Sequence, residues 1–327
     1  MRVGVIGLGW PGQTHAKHAA QAPGVTVAAM ADIDTGKAAT IAAPYGAAAY
    51  ADYREMLDRE SLDAVFLCTP HFVRAEPIRE IAARGIALFC EKPPAFTLEE
   101  ALKCQEAIEA SGVVNSVGFM YRWARITEHM RDALAGRTVI ACLIRGAWPV
   151  AFWDGIPPWL LVEEKSGGPI VEQGVHLLDV ARYLLDDEVC EVHAYQSPVV
   201  LQRSESVTIC DTVCLNLRWS RGPLGSHLHN WTHRGWVWEV DLICDSARLT
   251  WDMAHNRVVG SADGEPLEFT ADDDCYRTEV MGFLDAVHRG DRGGVRSTYA
   301  DSVRTLAIAL AARQSLATGA PVAVSHS

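Results

Sequence analysis

A glycine-rich turn near the amino terminus limits the fold of this chain more than any other feature. It has glycines at positions 7, 9 and 12 and directly follows the apolar stretch Val3–Ile6. Such a turn between a buried strand and a helix bends the backbone tightly, admits a pyrophosphate and lets the helix pack on the strand. The first helical amides then face the phosphates. The residues expected to contact a dinucleotide here are Gly7, Gly9, Trp10, Pro11 and Gly12.

The first 118 residues alternate between short apolar runs and helix-like stretches. The runs do not alternate in polarity, which indicates parallel strands covered on both faces by helices. The predicted strands are Val3–Ile6, Val25–Ala31, Ala64–Cys68, Ile86–Cys90 and Val113–Gly118. The predicted helices are His15–Gln21, Thr35–Ala43, Arg74–Arg84 and Thr97–Ser111. We therefore expect an α/β dinucleotide-binding domain over residues 1–118.

After Phe119 the chain carries longer strand-like segments that are not separated by helices, which predicts an antiparallel sheet. The predicted strands are Val139–Ala147, Val189–Ser197, Val207–Trp219, Trp236–Cys244 and Ala247–Trp251. The predicted helices are Pro169–Leu185 and a final one over 298–315, which could pack back near the first domain. The second domain, expected to bind substrate and to mediate oligomerisation, then covers 119–327.

Composition excludes several classes of partner. The 327 residues are 49% hydrophobic and carry a net charge of -12, which argues against nucleic acid or an anionic membrane as a partner. No run approaches the roughly 20 apolar residues of a membrane helix, and the first apolar run is too short for a signal peptide, so we expect a cytoplasmic protein. Nine cysteines occur without a Cys-x-x-Cys pair, which favours free core thiols and predicts no metal site.

Several residues are expected to hold the cofactor beyond the glycine turn. Asp32 lies about 20 residues past that turn, where a carboxylate binds the ribose hydroxyls and repels a 2'-phosphate. Because Ile33 rather than an arginine follows, we expect NAD, with NADP less favoured; the alternative for Asp32 is a helix cap. The other expected cofactor contacts, which follow the third and fourth predicted strands, are Thr69, Pro70, His71, Glu91 and Lys92. For His71 an ordinary loop histidine is the alternative.

Two segments carry candidate catalytic residues. Lys92 ends a buried strand, where an unused charge is unfavourable, and it could hold a substrate hydroxyl and favour its ionisation. Glu172 and His176 lie four residues apart on one helical face, so the carboxylate could orient the imidazole for acid–base work. The alternatives are a solvated turn lysine and a buried core histidine. A His-x-x-Asp metal pair with Asp179 lacks a third ligand at convincing spacing.

The motifs resemble, in their order, the glucose-fructose oxidoreductase / inositol dehydrogenase / rhizopine-catabolism (Gfo/Idh/MocA) family. They are the glycine turn, Cys68-Thr69-Pro70, Glu91-Lys92-Pro93, Gly167-Gly168 with Gly174-x-His176-x-x-Asp179, the junction 118–123 and the tail Gly319-x-Pro321-Val322. The resemblance implies a Rossmann domain followed by an α/β domain with a large, mostly antiparallel, open-faced sheet. It also implies dimer or tetramer contacts through that sheet.

The resemblance further implies that Lys92 and His176 flank the substrate near the nicotinamide, with His176 as the acid/base. Position 172 is usually aspartate in the sugar and inositol dehydrogenases, whereas this chain has Glu172. The family's histidine shortly after the Thr-Pro turn is replaced by Arg74, which we expect at the surface or capping a helix.

The expected activity is transfer of a hydride between nicotinamide and a carbinol or carbonyl carbon of a sugar, cyclitol or related polyol. Tryptophans favour carbohydrate because indole faces pack against C–H surfaces. The expected substrate contacts are Tyr121, Arg122, Trp148, Trp153 and Trp159. The segment His227–His233 is either a set of polar donors at the substrate or an exposed sheet loop. Open alternatives are a tightly bound, recycling NAD (a sugar–sugar oxidoreductase or oxidative glycosidase), a non-catalytic sensor that binds NAD and a ligand, and reduction of an imine or tetrapyrrole.

Overall fold

The computed structural model of the chain describes residues 1–325, which form two compact units. The first unit contains Met1–Trp123 and Asp274–Val303, and the second contains Ala124–Asp273 and the described residues from Arg304 onward. The predicted boundary at residue 118 lies near the end of the first segment. The segment 274–303, which the prediction left in the second domain, returns to the first unit.

The first unit contains a six-stranded parallel sheet, as expected from the alternating pattern. Its strands are β1 (Arg2–Ile6), β2 (Thr26–Ala31), β3 (Ala48–Tyr50), β4 (Ala64–Leu67), β5 (Ala87–Cys90) and β6 (Asn115–Val117). The helices between them are α1 (Trp10–Ala20), α2 (Thr35–Ala42), α3 (Tyr53–Arg59), α4 (Ala75–Ala83) and α5 (Leu98–Ser111). The strand order is β3-β2-β1-β4-β5-β6. The order reverses beside β1, which is where ligands bind at the carboxyl ends of such strands.

The prediction missed β3 and α3, which lie between the second and third predicted strands. Strand β3 has three residues, none of them buried, so it gives no hydrophobic signal. The segment Ala64–Leu67 is therefore the fourth strand in sequence, and it pairs directly with β1.

The second half of the chain forms a nine-stranded sheet and further helices. The strands are β7 (Val139–Ala147), β8 (Val189–Ser197), β9 (Thr212–Trp219), β10 (Leu224–Asn230), β11 (Val237–Cys244), β12 (Ala247–Asp252), β13 (Arg257–Ala262), β14 (Glu265–Thr270) and β15 (Val322–Ala323). The helices are α6 (Arg125–Leu134), α7 (Glu163–Ser166), α8 (Val175–Leu185), α9 (Cys275–Arg289) and α10 (Tyr299–Thr318). All pairings are antiparallel except that of β10 with β7, so the expected mostly antiparallel sheet is confirmed.

Helix α9 belongs to the first unit and completes its core. Phe283 lies 5.6 Å from Phe66 of β4 and 5.5 Å from Phe89 of β5, measured between ring centroids. In the second unit, α8 packs on β7 and β11, with Ile144 and Leu242 buried. In the part of the chain that the structure describes, no helix is both long enough and apolar enough to cross a membrane.

Candidate functional site

The three glycines of the amino-terminal turn have different physical roles. Gly7 has φ +85, and a Cβ there would lie 2.8 Å from the carbonyl carbon of Cys68. A Cβ on Gly12 would lie 2.1 Å from the Gly7 carbonyl oxygen, so both positions exclude a side chain for packing reasons. A Cβ on Gly9 would meet only the Pro11 ring, at 3.7 Å. The backbone at Gly9 is therefore open to a ligand.

The start of α1 fits the phosphates of a dinucleotide. Gly9 is the N-cap residue and Pro11 lies in the first turn, where its missing N–H removes no helical hydrogen bond. The Trp10 side chain is exposed. The first amides of a helix have no partner within it, so they can donate to an anion placed beside Gly9.

Asp32 is held at the end of β2 by backbone amides. Its carboxylate accepts hydrogen bonds from the amide of Leu8 at 2.8 Å and from that of Asp34 at 3.1 Å. Burial works to raise its pKa, but these hydrogen bonds and the Lys37 ammonium, 3.1 Å away, lower it overall, so the group stays ionised. The helix-capping alternative falls to Asp34, which accepts from the amide of Lys37 at 3.0 Å.

The turn after β4 carries a polar atom suited to a ligand. The Thr69 hydroxyl is buried, and nothing in residues 1–325 forms a hydrogen bond with it. Pro70 is half-buried, and His71 is buried in a short 3-10 turn with its ring 5.4 Å from that of Phe96. Together with the open backbone at Gly9, the Thr69 hydroxyl indicates that this edge of the sheet fits a dinucleotide.

Glu91 fixes the backbone at Lys92. It is buried, pairs with His15 at 2.7 Å and accepts a hydrogen bond from the Lys92 amide at 3.1 Å. Burial works to raise the pKa of Glu91, but the His15 hydrogen bond and the charges of His15, Lys92 and Arg74 lower it. Lys92 itself is half-buried at the carboxyl end of β5, the same edge that holds the glycine turn.

Arg74 is a correction to the sequence-based expectation. It is buried rather than at the surface, and although it occupies the N-cap position of α4, its side chain caps no amide of that helix. Instead its guanidinium donates hydrogen bonds to three backbone carbonyls, those of Thr69, Glu91 and Pro93. Arg74 thereby ties the turn after β4 to the turn after β5, a role that depends on tertiary contacts and that has no local sequence signal.

The second unit carries the candidate acid/base. The predicted single helix over Pro169–Leu185 is a π turn, Ile170–Gly174, followed by α8. Glu172 lies half-buried on the π turn, and His176 is buried in the first turn of α8. Asp179 accepts a hydrogen bond from Thr305 at 3.0 Å, which gives it a structural partner within the second unit.

The predicted aromatic residues of the second unit cluster. Trp148 lies 6.0 Å from Trp153 and 4.7 Å from Trp236, measured between ring centroids. Trp153 and Trp236 remain partly exposed, whereas Trp148 and Trp159 pack against a small apolar cluster around Trp231. Trp236 was not among the substrate contacts expected from the sequence.

Two further predicted substrate residues, Tyr121 and Arg122, lie in the first unit. Tyr121 is half-buried, and desolvation raises its pKa. The guanidinium of Arg122 pairs with Asp301 at 2.6 Å and donates to the carbonyl of Arg296 at 2.7 Å. Arg122 therefore has a structural role in that unit, and its substrate contact stays a prediction.

The segment His227–His233 is not an exposed loop. Residues up to Asn230 form β10, and the side chains of His227 and His229 are fully buried beneath the π turn. His229 Nε2 lies 3.3 Å from the side-chain oxygen of Gln173. The histidines were expected from the sequence as possible polar donors, whereas Gln173 was not, although Gln173 directly follows Glu172.

Comparison with known proteins covers both units. The family described as "Oxidoreductase family, NAD-binding Rossmann fold" matches residues 1–119, and "GFO/IDH/MocA C-terminal domain" matches residues 136–250. The chain is 27% identical to the uncharacterized oxidoreductase YrbE of Bacillus subtilis, over 99% of this chain and 96% of YrbE. It is 26% identical to scyllo-inositol 2-dehydrogenase (NAD(+)) of the same organism, over 98% and 96% of the two chains.

Among solved structures, levoglucosan dehydrogenase in complex with NADH and levoglucosan has the same fold. The TM-score is 0.89 at 20% identity, with 100% of each chain covered. The expected resemblance is therefore confirmed, and the chain belongs to the GFO/IDH/MocA family of oxidoreductases with an NAD-binding Rossmann domain.

Proposed function

We propose that this protein transfers a hydride between NAD and a carbinol or carbonyl carbon of a sugar, cyclitol or related polyol. The observation that carries the proposal is the anchoring of Lys92. Glu91 fixes its backbone amide, and Arg74 fixes the carbonyls on either side, at the sheet edge that holds the glycine turn. This arrangement supports the proposal, because a cation at this edge of the sheet could act beside a bound nicotinamide.

The proposed roles follow from the chemistry of the side chains. The Lys92 ammonium holds the reacting hydroxyl oxygen and stabilises the negative charge that develops on it. The imidazole of His176 removes the hydroxyl proton, and Glu172 orients the imidazole. When bound, NAD supplies the hydride chemistry by accepting two electrons and one hydrogen from the carbinol carbon. A proton on His176 and a hydride on the cofactor together balance the oxidation of an alcohol to a carbonyl.

We propose NAD rather than NADP as the preferred cofactor. The ionised Asp32 carboxylate favours ribose hydroxyls and opposes a 2'-phosphate. Lys37 lies beside it and partly offsets that repulsion. The preference therefore depends on the pair, rather than on Asp32 and Ile33 alone as the sequence suggested.

The aromatic cluster supports a carbohydrate-like substrate. Trp153 and Trp236 present indole surface to solvent, and such surface packs against the C–H faces of sugars and cyclitols. The name of the scyllo-inositol relative points to the same class of substrate. We include Trp148 and Trp159 as residues that support this surface.

The proposal is tested by following NADH formation with myo-inositol, scyllo-inositol, D-glucose and D-xylose. Lys92→Ala and His176→Ala should each lower kcat by at least about 100-fold, as expected for lost acid–base or electrostatic catalysis. The exposed Lys103→Ala and His288→Ala are matched controls that should retain activity. Unchanged activity in both site variants would contradict the proposed roles. NAD that stays bound through gel filtration, with no net NADH, would favour the recycling alternative.

We also propose that the protein is a homo-oligomer that associates through the second unit's sheet. Apolar side chains on its central strands remain exposed, among them Leu143 of β7, Leu228 of β10 and Ile243 of β11. Exposed apolar surface of this kind marks protein interfaces. Light scattering should give a multiple of 35.7 kDa for the wild type and a smaller mass for Leu228→Lys. A monomeric wild type would contradict this.

A further inference from the structure

A buried polar network lies beneath the π turn of the second unit. His227 Nε2 lies 3.3 Å from His229 Nδ1, and His229 Nε2 lies 3.3 Å from Gln173 Oε1. The Trp231 indole N–H donates to the same Gln173 oxygen at 2.8 Å. Two glycines make room for the rings, since a Cβ on Gly146 or Gly174 would approach His229 or His227 at 2.5 and 3.2 Å. The network is thus tightly packed.

Both histidines are neutral in this setting. Burial lowers the pKa of His229 to about 3. Burial and the neighbouring His229 lower the pKa of His227 well below its ordinary value. A neutral imidazole has one donor nitrogen and one acceptor nitrogen, so each hydrogen bond fixes the role of the other nitrogen.

The indole of Trp231 settles the direction of every bond in the network. An indole N–H can only donate, so the Gln173 atom that faces it is the amide oxygen. His229 Nε2 faces the same oxygen and must carry a proton, which makes its Nδ1 the acceptor. His227 must then donate from Nε2. Its Nδ1 is an acceptor, and it is buried with no hydrogen-bond partner within residues 1–325.

This direction leaves Gln173 with a fixed, unused donor group. Its oxygen accepts two hydrogen bonds, and rotation of the amide would place N–H groups against N–H groups. Within the described part of the chain, no residue accepts a hydrogen bond from Gln173 Nε2. The side chain is only half-buried, so this nitrogen is not enclosed by the core. Gln173 adjoins Glu172 and precedes His176 by three residues.

We propose that Gln173 determines substrate specificity by donating a hydrogen bond from Nε2 to a second oxygen of the polyol, apart from the one that reacts. The inference rests on the proposed function, in which Lys92 and His176 act on the reacting oxygen. The network holds the amide so that only a hydrogen-bond acceptor satisfies it. His229 and Trp231 are positioning residues that act through Gln173.

The test is Gln173→Glu, which keeps an oxygen for both network donors and removes the N–H donor. With the polyol that the wild type oxidises fastest among myo-inositol, scyllo-inositol, D-glucose and D-xylose, KM should rise about tenfold, as for one lost hydrogen bond. The kcat value should change by less than about threefold, and Tm and the Kd for NAD should stay near wild type. Gln314→Glu adds the same charge on an exposed face of α10 and should change none of these values.

A second measurement determines which nitrogens of the buried imidazoles carry protons, and it does not depend on catalysis. Nitrogen-15 chemical shifts of the imidazoles should show His227 and His229 both protonated at Nε2 at pH 7. A proton on Nδ1 of His229 would overturn the inference whatever the activity. An active wild type with unchanged KM in Gln173→Glu would overturn the inference alone. Failure of every polyol to reduce NAD would overturn the proposed function and, with it, this inference.

Discussion

Asp32 and Lys37 form an ion pair 3.1 Å long at the end of β2, and this pair sets the expected cofactor preference. Asp32→Ala removes the charge that opposes a 2'-phosphate and leaves Lys37 available to bind one. The ratio of kcat/KM for NADP to that for NAD should rise about 10- to 100-fold, equivalent to about 1.4–3 kcal/mol. Steady-state kinetics with both cofactors checks this.

The matched control adds Lys37→Ala to the same variant. Loss of the Lys37 ammonium should lower the NADP-to-NAD ratio of kcat/KM part of the way back to the wild-type value, because the 2'-phosphate then loses its cation. A wild type that prefers NADP, or an Asp32→Ala variant with an unchanged ratio, would contradict the role given to Asp32.

At the level of single residues, local motifs were predictable and tertiary partners were not. Four features of the candidate site directly follow strands that their apolar residues predict: the glycine turn, Asp32, Thr69 and Lys92. Their position at one edge of the sheet could therefore be predicted. Arg74 was misplaced because its carbonyl partners belong to turns after two different strands. Likewise, His15 faces Glu91, 76 residues further along the chain, and no spacing rule indicates such a pair.

The junction of β1 and α1 allows folding and cofactor binding to be separated by two alanine substitutions. Gly12→Ala places a methyl group against the Gly7 carbonyl oxygen, so it should lower the free energy of unfolding by about 2 kcal/mol or more. Gly9 has φ -63 and ψ -175, which alanine adopts freely, and open space lies beside it. Gly9→Ala should therefore keep its Tm.

The same Gly9→Ala methyl group would occupy the position of the pyrophosphate, so the Kd for NAD should rise at least about tenfold. Thermal melting and fluorescence titration with NADH measure the two effects independently. A Gly9→Ala variant that binds NADH normally would show that the cofactor does not approach this backbone.

Elements with a strong hydrophobic pattern were predicted well, and weakly patterned ones were missed. The bounds of β7 and β8 agree with the prediction residue for residue. Strand β10 was missed because its buried positions are occupied by the polar residues His227 and His229 rather than by aliphatic ones. The pattern before α8 predicts continuous helix rather than the π turn, because an extra residue in one turn hardly disturbs the hydrophobic periodicity.

For the whole molecule, the buried histidines predict a loss of stability in mild acid. The unfolded chain binds a proton at His229 near pH 6.5, whereas the folded pKa is about 3. Below pH 6.5 the unfolded state therefore binds more protons, and folding loses about 1.4 kcal/mol per pH unit from this group. The contribution of neutral His229 to the free energy of unfolding is fully present above pH 6.5 and is lost as the pH falls toward 3.

Melting temperatures of wild type and His229→Gln between pH 7.5 and 4.5 measure this effect. The variant loses the hydrogen-bond network and should have a lower Tm than wild type at pH 7.5. The difference in Tm between the two proteins should narrow as the pH falls. A gap that stays constant over that range would contradict the neutral, buried state of His229.

The two-unit organisation was predictable in outline, but the path of the chain was not. After residue 118 the strand-like segments become longer and are no longer separated by helices, which indicated a second sheet. The return of α9 to the first unit could not be read from the sequence, because its apolar side could cover either sheet. Helix α9 packs on Phe66 and Phe89 through Phe283, and this packing depends on the shape of the folded core.

Hydride transfer from substrate to cofactor is tested most directly by following the hydrogen at the reacting carbon. A polyol from the screen, deuterated at every carbon, is incubated with the enzyme and NAD, and the nicotinamide is analysed by mass spectrometry and proton NMR. We expect NADH that carries one deuterium at C4, formed by wild type and at least about 100-fold more slowly by Lys92→Ala and His176→Ala. Oxidised polyol accompanied by NADH without deuterium would contradict direct hydride transfer.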